Sequence, residues 1–396
     1  KSDPVTEGLI VKAVVHDLKA AKVILLGVPD IPGVAAKLFK SLSDKGVGAE
    51  MIVQNNMRGG VNDIGLSAGR QLGDVAMRLT VARDHDHGFA GLNDWRKTEL
   101  ATLNTHWTVD GNNSLQLQAG WTGSTLGTGK EDNPTDPERG SRLSTNFGLL
   151  RWQHAPAAGE ELSVSYYHQE ETGRDNYTLL VPVTPRQSGL PFPLQLPIGF
   201  DYDFHAVRDD LQIQRISALA PGLRAVVGGG MRVDRIASPL RFNRADSVRN
   251  AVNHAFGTLE WHASPRWLFN AGAMLEDNSL TGRTLAPRVS ANYHLTDSQT
   301  WRISINRSLR HPVAFEQKSS MIFATSAPVT TPVGTFPAGT PISQTFRPSP
   351  HLQAERITTW ELGYRAELRP LNASLDARVF LEQARDLIEM NLEPST

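Results

Sequence analysis

Two short stretches combine residue types that do chemistry in other proteins. Asp84-His85-Asp86-His87 offers carboxylate and imidazole groups, which suit several divalent metal ions. Gly123 to Lys130 (Gly-Ser-Thr-Leu-Gly-Thr-Gly-Lys) has the residue types of a phosphate-binding loop. We favour a hydrated extracellular loop for the first stretch, since a bare loop has no outer partners to fix metal ligands. We reject the second, because its glycine spacing is wrong and Glu131 replaces the expected Ser or Thr.

The sequence also shows no motif for nucleophilic catalysis or for cysteine chemistry. The 12 histidines and the many serines and aspartates do not form a strand-turn-helix nucleophile motif. The chain has 0 cysteines, which removes disulfides, thiolate metal sites and cysteine nucleophiles, and fits either a reducing cytosol or a bacterial outer-membrane protein. We therefore expect no catalytic residue, no metal, no cofactor and no enzymatic activity.

Charge and hydropathy narrow the possible partners. Lys and Arg number 40 against 41 Asp and Glu, so there is no electrostatic footprint for nucleic acid. No stretch approaches the roughly 20 consecutive apolar residues of a spanning helix, whereas barrel strands need only about 9 to 11 with every second one apolar. The start, Lys1-Ser2-Asp3-Pro4, shows no export signal, so we expect a fragment or a processed chain.

The first 66 residues predict a small α/β segment. The apolar run from 21 to 28 indicates a buried strand, and Pro29-Asp30-Ile31-Pro32-Gly33 indicates a turn. A helix should follow from Val34 and stop at Gly46, because its apolar residues recur on one helical face. Two further strands, over 47–54 and 61–66, complete the order β-α-β-β.

This order and its motifs resemble an ACT domain. Gly27 to Ala36 (Gly-Val-Pro-Asp-Ile-Pro-Gly-Val-Ala-Ala) and Glu50 to Asn55 (Glu-Met-Ile-Val-Gln-Asn) are similar to the regulatory region of aspartate kinase. The resemblance, over about residues 5–66, implies an amino-acid effector such as lysine or threonine. The implied contacts are Asp30, Gly33, Val34, Ala35, Gln54, Asn55 and Asp63. A helix start favours the effector carboxylate, and Asp30 its ammonium group.

A plainer interpretation of the same motif stays open. Pro29 to Gly33 can be merely a rigid turn, with Asp30 as a helix cap. The ACT pattern also lacks a second helix and a fourth strand after Leu66, which would leave an unpaired sheet edge. No kinase catalytic domain accompanies it, so we expect no phosphoryl transfer.

Beyond Leu66 the hydropathy pattern has a period of two residues. Leu115, Leu117, Ala119 and Trp121 alternate with polar residues or glycine, which is typical of a strand with one apolar and one polar face. The same alternation recurs, including in 162–167, 288–295, 301–306, 360–368 and 373–382. By this test we expect about thirteen strands.

Short and long connections alternate between these strands. The short ones are 109–112, 155–159, 220–222, 263–265, 296–298 and 370–371, and the long ones are 85–93, 124–142, 172–200, 236–249, 277–284 and 310–354. This alternation is typical of an outer-membrane barrel with periplasmic turns and extracellular loops. Trp95, Trp107, Trp121, Trp152, Trp261, Trp267, Trp301 and Trp360 lie in or near strand ends, as interfacial girdles require. A soluble all-β binding protein, with these aromatics in a sandwich core, is the alternative.

Ordered motifs in this segment resemble the barrel of a TonB-dependent receptor. They are Leu285 to Tyr293 (Leu-Ala-Pro-Arg-Val-Ser-Ala-Asn-Tyr), Ser308 to Pro312 (Ser-Leu-Arg-His-Pro), Leu352 to Tyr364, and Phe380 to Ile388. The resemblance covers roughly residues 68–390. It implies a Gram-negative outer-membrane importer of scarce nutrients such as iron chelates. The implied partners are membrane lipid, the TonB system and a small-molecule ligand. Such importers are 22-stranded, plugged barrels.

We therefore predict a mainly β chain: a partial antiparallel transmembrane barrel over 67–396, preceded by an incomplete ACT-like α/β segment over 1–66. The family patterns place residues 67–396 in the outer membrane and residues 1–66 in the cytoplasm, so the chain would be a chimera. The plug and its TonB box should stand where the ACT-like segment lies. Unpaired barrel edges cost several kcal/mol per backbone group in lipid, so we expect no transport by this chain alone. Residues 319–350 either contact a ligand at the barrel mouth or form a solvated loop.

Overall fold

The computed structural model describes residues 64–131, 133, 136–368 and 372–389. Fourteen of the described strands form one antiparallel sheet, and short hairpins and helices lie in its connections. The strands are β1 (Ile64–Leu72), β2 (Val75–Asp86), β3 (Arg96–Thr108), β4 (Asn113–Thr128), β5 (Arg139–Ala157), β6 (Glu160–Arg174), β7 (Asn176–Val183), β8 (Leu194–Asp201), β9 (Phe204–Ala220), β10 (Leu223–Ala237), β11 (Val248–Ser264), β12 (Trp267–Asn278), β13 (Gly282–Thr296), β14 (Gln299–Arg310), β15 (Ile322–Ala324), β16 (Val329–Thr331), β17 (Gly334–Phe336), β18 (Pro341–Gln344), β19 (Glu355–Leu368) and β20 (Ala373–Arg385). The helices are α1 (Pro185–Ser188), α2 (Pro239–Phe242) and α3 (Ala314–Lys318).

The strand order of the large sheet follows the chain. Each strand pairs with the next, except that β6 pairs with β9 and β14 with β19, because β7–β8 and β15–β18 fold as separate hairpins. Within the described residues the sheet is not closed, and β1 and β20 are its edges. None of the described helices is long and apolar enough to cross a membrane.

The connections divide into two rims. The turn rim carries 73–74, 109–112, 158–159, 221–222, 265–266, 297–298 and the link from β19 to β20. The loop rim carries 87–95, 129–138, 175–203, 238–247, 279–281 and 311–354. The predicted alternation of short and long connections is thus confirmed, with one exception: 277–284 is a connection of only three residues, since β12 and β13 continue further than their sequence pattern indicated.

The sequence predicts about thirteen strands, one fewer than the fourteen of the large sheet. The predicted connections leave a single strand before residue 85, whereas the structure has both β1 and β2 there. They are joined at Gly73 and Asp74, where Gly73 has a φ of 59°. Glycine occupies this left-handed region without steric cost, so a two-residue turn forms within one alternating stretch. Residues 64–66, predicted as the end of an ACT-type strand, belong to β1 and pair with β2.

The strand register gives the sheet one apolar face. Directly paired residues present their side chains on the same side, so a row can be followed across neighbouring strands. One such row consists of Leu117, Leu150, Tyr166, Leu211 and Met231. All five side chains are exposed, from 43% for Leu117 to 58% for Met231. We call this side, defined by the row and the residues in phase with it, the apolar face.

The opposite side, the polar face, carries hydrophilic rows. One of them runs through Asn270, Ser290, Ser304 and Glu361 on four neighbouring strands. Since the exposed apolar row and the hydrophilic row lie on opposite sides of one antiparallel sheet, the predicted barrel-type alternation is confirmed. The sheet is not a sandwich, because no second layer covers the apolar face within the described ranges.

Aromatic side chains gather on the apolar face near the turn rim. Trp267, Tyr293, Trp301 and Tyr364 form one cross-strand row. Ring centroids are 4.8 Å apart between Trp267 and Tyr293 and 4.6 Å apart between Trp301 and Tyr364. Amphipathic aromatics in such a row match the interfacial girdle of an outer-membrane barrel.

Candidate functional site

A cleft of about 910 Å³ opens on the polar face, toward the loop rim. It lies across β11 to β14, and most of its lining side chains come from alternate residues of these strands. They include Thr258, Asn270, Glu276, Thr284, Arg288, Ser290, Asn292, Arg302, Ser304, Asn306 and His311. The cleft is lined mainly by polar residues because the period of two sends alternate side chains of these four strands to the same side. Its volume is within the range of small-molecule sites.

Arg288, Arg302 and Arg307 supply positive charge to the lining of this cleft, and the first two share the polar face. The Arg288 guanidinium donates a hydrogen bond from Nη2 to Thr258 Oγ1 at 3.1 Å. Arg302 Nε lies 3.9 Å from Glu361 Oε1, and half of the Arg302 side chain is exposed. The buried Ser304 Oγ has no hydrogen-bond partner among the described residues. Free donors on arginines can form forked hydrogen bonds to anionic oxygens of a ligand, such as those of a carboxylate.

A partly buried polar cluster around His311 lies at the loop-rim end of the cleft. Its Nε2 lies 3.0 Å from Glu276 Oε1, and its Nδ1 lies 2.6 Å from Thr281 Oγ1. In α3, the fully buried Gln317 donates from Nε2 to the Leu280 carbonyl at 2.7 Å. These contacts hold the start of 311–354 against 279–281. These contacts are partly shielded from water, so leaving one of their polar groups without a partner would be costly.

An arginine clip closes the base of the longest loop. Arg310, at the end of β14, binds Glu355, at the start of β19, through two parallel hydrogen bonds, of which the one from Nη2 to Oε1 is 3.0 Å. Arg310 Nη1 also donates to Glu316 of α3 at 3.1 Å. The Arg310 hydrogen bonds and a further one from the Ile388 backbone N–H lower the pKa of Glu355 to about 2. The two ends of 311–354 are therefore tied at one point.

A small apolar core joins two of the long loops. Leu196 and Ile198 of β8 are buried against Val329 of β16, with Val181, Leu194, Phe200 and Phe323 packed around them. The Phe200 and Phe323 ring centroids are 5.0 Å apart. The Ser326 backbone N–H donates to the Pro197 carbonyl at 2.7 Å. Loops 175–203 and 311–354 are therefore packed together rather than independently solvated.

A second node ties loop 175–203 to the neighbouring strands. Arg139 donates from Nε to Asp175 Oδ1 at 2.6 Å and from Nη2 to Asp175 Oδ2 at 3.0 Å. Its guanidinium also lies 4.0 Å from the centroid of the Tyr177 ring. The hydrogen bonds to Asp175 raise the pKa of Arg139. A cation shared between a carboxylate and an aromatic face fixes the direction in which the hairpin leaves β6.

Further hydrogen bonds extend this network along the loop rim. Asn93 Nδ2 donates to the Thr128 and Arg139 carbonyls. Ser238 Oγ donates to the Asp203 carbonyl at 2.8 Å, and the Ser320 N–H donates to the Arg241 carbonyl at 3.0 Å. Together with the contacts above, they link all six loops of the rim into one assembly, which we call the loop layer. This layer lies at the end of the polar face where a ligand would enter the cleft.

The residues singled out from sequence have different outcomes. Asp30, Gly33, Val34, Ala35, Gln54, Asn55 and Asp63 all lie outside the described residues, so their effector role stays a prediction. Asp84, His85 and Asp86 lie in the end of β2 rather than in a loop. Gly123 to Thr128 likewise belong to β4. The stretch 319–350 carries β15 to β18 and packs in the loop layer.

The residues that build the loop layer were not recognised from sequence. Arg139 and Asp175 are 36 residues apart, and Ser326 and Pro197 are 129 apart, so no local pattern reports them. A usable signal was present in the receptor-like motifs. Ser308 to Pro312 contains Arg310 and His311, and Leu352 to Tyr364 contains Glu355. These motifs supply the arginine clip and the polar cluster around His311.

Comparison with known families agrees with this architecture. A family model described as "TonB dependent receptor-like, beta-barrel" matches residues 52–396. The chain belongs to the TonB-dependent receptor family. The match covers all fourteen strands of the sheet, and it accounts for the apolar and polar faces and for the long loops on one rim. The family consists of outer-membrane receptors and transporters rather than enzymes.

Solved structures of a siderophore receptor and a ferric enterobactin receptor share the fold. The siderophore receptor PirA from Acinetobacter baumannii is 11% identical, with a TM-score of 0.57 over 77% of this chain and 48% of that one. A variant of the ferric enterobactin receptor PfeA from Pseudomonas aeruginosa, in complex with enterobactin, is 12% identical, with a TM-score of 0.56 over 82% of this chain and 51% of that one. The chain thus spans about half the length of these receptors.

Curated relatives match only a small part of this receptor-family chain. The aspartokinase of Mycobacterium tuberculosis is 36% identical over 88 residues, which are 22% of this chain and 21% of that protein. The aspartokinase of Thermus thermophilus is 46% identical over 44 residues, 11% of each chain. The chain therefore spans about a fifth or less of the length of these relatives.

Proposed function

We propose that this chain is a ligand-binding part of an outer-membrane receptor that imports a siderophore-type nutrient. The observation that carries the proposal is the polar-face cleft, which lies on a sheet with an apolar outer surface and ends beneath a tied loop layer. Arg288 and Arg302 would contact anionic oxygens of the ligand. A PfeA variant with this fold was solved in complex with enterobactin, which supports a ligand of this class for the chain.

The partners follow from the same proposal. Membrane lipid would cover the apolar face, and the TonB system would supply the energy for ligand release, as the family name implies. That this chain does not transport by itself remains a prediction. It would be contradicted by TonB-dependent uptake after reconstitution of the chain alone in liposomes.

Binding of ferric siderophores tests the proposed function directly. The full chain is expressed in the outer membrane of a Gram-negative host lacking its own siderophore receptors, and binding of radioactive iron complexed with enterobactin and with hydroxamate siderophores is measured. Replacing Arg288 and Arg302 by Gln should weaken binding at least about tenfold per arginine, because charge-assisted hydrogen bonds are lost.

The matched control removes two other arginines of the polar face. Arg151→Gln with Arg224→Gln takes away the same charge outside the cleft lining and should leave affinity unchanged. Equal loss in both double variants would place binding elsewhere. Absence of micromolar binding for every ferric siderophore in the outer-membrane-located protein would refute the proposed ligand class.

A second function is favoured by the aspartokinase similarity of part of the chain. We propose that residues 1–66 form an ACT-like segment from a cytoplasmic protein, joined to the receptor segment from residue 67 as a chimera. Asp30, Gly33, Val34, Ala35, Gln54, Asn55 and Asp63 would contact lysine or threonine. Calorimetry with both amino acids tests this, with Asp30→Asn expected to abolish binding and Lys22→Gln as a charge control outside the contacts.

The proposed junction can be tested independently. The receptor family model begins at residue 52, and β1 runs without interruption from Ile64 to Leu72 across the proposed boundary. The boundary at 66 therefore remains a proposal. Sequencing independent DNA through Gly65 to Ala68 should recover the continuous reading frame, and failure to recover it would refute a natural fusion.

A further inference from the structure

A row of cations crosses four strands on the apolar face, beyond the apolar band. Lys97 pairs with Thr125, Thr125 with Arg142, and Arg142 with Arg174. Because directly paired residues share a face, these side chains project from the same surface as the exposed row through Leu117 and Leu150. We call Lys97, Thr125, Arg142 and Arg174 the cationic row.

The two arginines of this row oppose each other without a counter-charge. Arg142 and Arg174 are direct cross-strand partners on strands about 4.8 Å apart, and like charges in this position destabilise a sheet. Neither forms an ion pair within the described residues. Lys97 contacts Glu99 at 3.1 Å, and Glu99 is shared with Arg83 at 3.7 Å. The net charge around the row is therefore positive, which favours binding of an external anion.

The cationic row borders a recess rather than a flat surface. A cavity of about 320 Å³ is lined by the row together with Glu99, Trp121, Gly123, Ser144 and Thr172. The Trp121 indole lies against Gly123, where a Cβ would come within 2.5 Å of the ring, and its Nε1 donates to Ser144 Oγ at 3.1 Å. The recess thus has an aromatic floor toward the apolar band and cations at its upper edge.

Depth in the membrane identifies the kind of anion. Lys97 lies ten residues along β3 from Trp107, an exposed tryptophan of the apolar face near the turn rim, which is in line through Leu115 with Trp152. At about 3.3 Å per residue and a tilt of about 40°, that separation is about 25 Å along the barrel axis. The apolar band of an outer-membrane barrel has about this height. The row therefore lies at the level of the lipid headgroups on the loop-rim side.

We propose that the cationic row binds the phosphate of a lipid in the leaflet on the loop-rim side. The phosphate would sit between Arg142 and Arg174 with Lys97 at its side, and the acyl chains would lie against the apolar face below Trp121. Forked arginine donors suit phosphate oxygens, and a basic recess beside the hydrocarbon is the usual form of a lipid headgroup site. The inference depends on the proposed outer-membrane location, and not on the identity of the imported ligand.

Lipid titration of the detergent-solubilised full chain tests this site. Native mass spectrometry measures adducts with phosphatidylglycerol, phosphatidylcholine and inorganic phosphate. Arg142→Gln with Arg174→Gln should weaken phosphatidylglycerol retention about 30-fold, since each cation near a headgroup contributes about fivefold. Arg142→Lys with Arg174→Lys should retain most of the binding, and Arg151→Gln with Arg224→Gln on the polar face should not change it.

Two other outcomes of the lipid titration would overturn the inference. Equal phosphatidylglycerol retention in the two Gln double variants would show that the row is not the site. Inorganic phosphate binding as tightly as the lipid would assign the row to a free anion. Outer-membrane fractionation and heat-modifiable migration, measured on every variant, keep the two proposals apart: a chain absent from the outer membrane refutes the proposed function, whereas a membrane-located chain without lipid adducts refutes only this site.

Discussion

The loop layer should open when its small apolar core is truncated. Ile198 is 6% exposed and packs with Leu196 and Val329. Ile198→Ala removes three carbon atoms, at about 0.8 kcal/mol each, so docking of loop 175–203 on loop 311–354 should weaken by about 2.4 kcal/mol before any cavity cost. Because about 1.4 kcal/mol corresponds to a factor of ten, the open population should rise about 50-fold.

Hydrogen exchange measured by mass spectrometry follows this opening. Amides of β8, β15 and β18 should lose protection by about that factor, while amides of β11 to β13 should keep theirs. Leu180→Ala is the matched control, because Leu180 lies on the same hairpin but is 67% exposed. If Ile198→Ala leaves loop protection unchanged, or if Leu180→Ala reduces it equally, the loops are not held by this core.

Three further predictions test other parts of the structure. Leu150→Arg, on the apolar face two residues from Trp152, should destabilise the chain in liposomes by about 1–2 kcal/mol, whereas Gln153→Arg on the polar face should change stability by less than about 0.5 kcal/mol; urea titration measures both, and equal costs would contradict the assigned faces. Since the pKa of Glu355 is lowered to about 2, its contribution is complete above the usual carboxyl pKa of about 4.5 and is lost as the pH falls toward 2. Protease resistance of 311–354 should therefore be constant from pH 7 to about 5 and fall below it, and Glu355→Gln should lower it at pH 7 and remove this pH dependence. Gly120→Ala should cost about 1–3 kcal/mol, because its Cβ would come within 2.4 Å of the Phe147 ring, whereas Gly148→Ala meets open space and should be near neutral in the same urea titration.

Sequence alternation predicted the sheet well wherever one face was apolar. It was less successful near the loop rim, where the strands continue beyond the apolar band. β4 runs to Thr128 and β5 begins at Arg139, although the sequence indicated a loop over 124–142. At that level both faces are polar, as Arg142 shows, so the strands continue without a hydropathy pattern. Backbone pairing with neighbours, rather than burial, maintains them there.

The candidate site was less accessible to sequence reasoning than the fold. Alternation indicated that Arg288 and Arg302 share the polar face, but not that they line a cleft. His311 and Glu276 are 35 positions apart in the chain, and the cationic row combines residues from β3, β5 and β6. Such groupings depend on strand register, and composition does not specify register. A shift of one residue would move every side chain of a strand to the opposite face of the sheet.

Spin labelling along β14 tests the central claim most directly, since the chain contains 0 cysteines and every introduced cysteine is unique. Single labels at positions 301 to 306 are compared in liposomes for collision with oxygen, which partitions into lipid, and with a water-soluble nickel complex. Positions 301, 303 and 305 should favour oxygen, and positions 302, 304 and 306 should favour nickel. A period near 3.6, or equal nickel access at all six positions, would contradict a sheet with one face in lipid and the other in water.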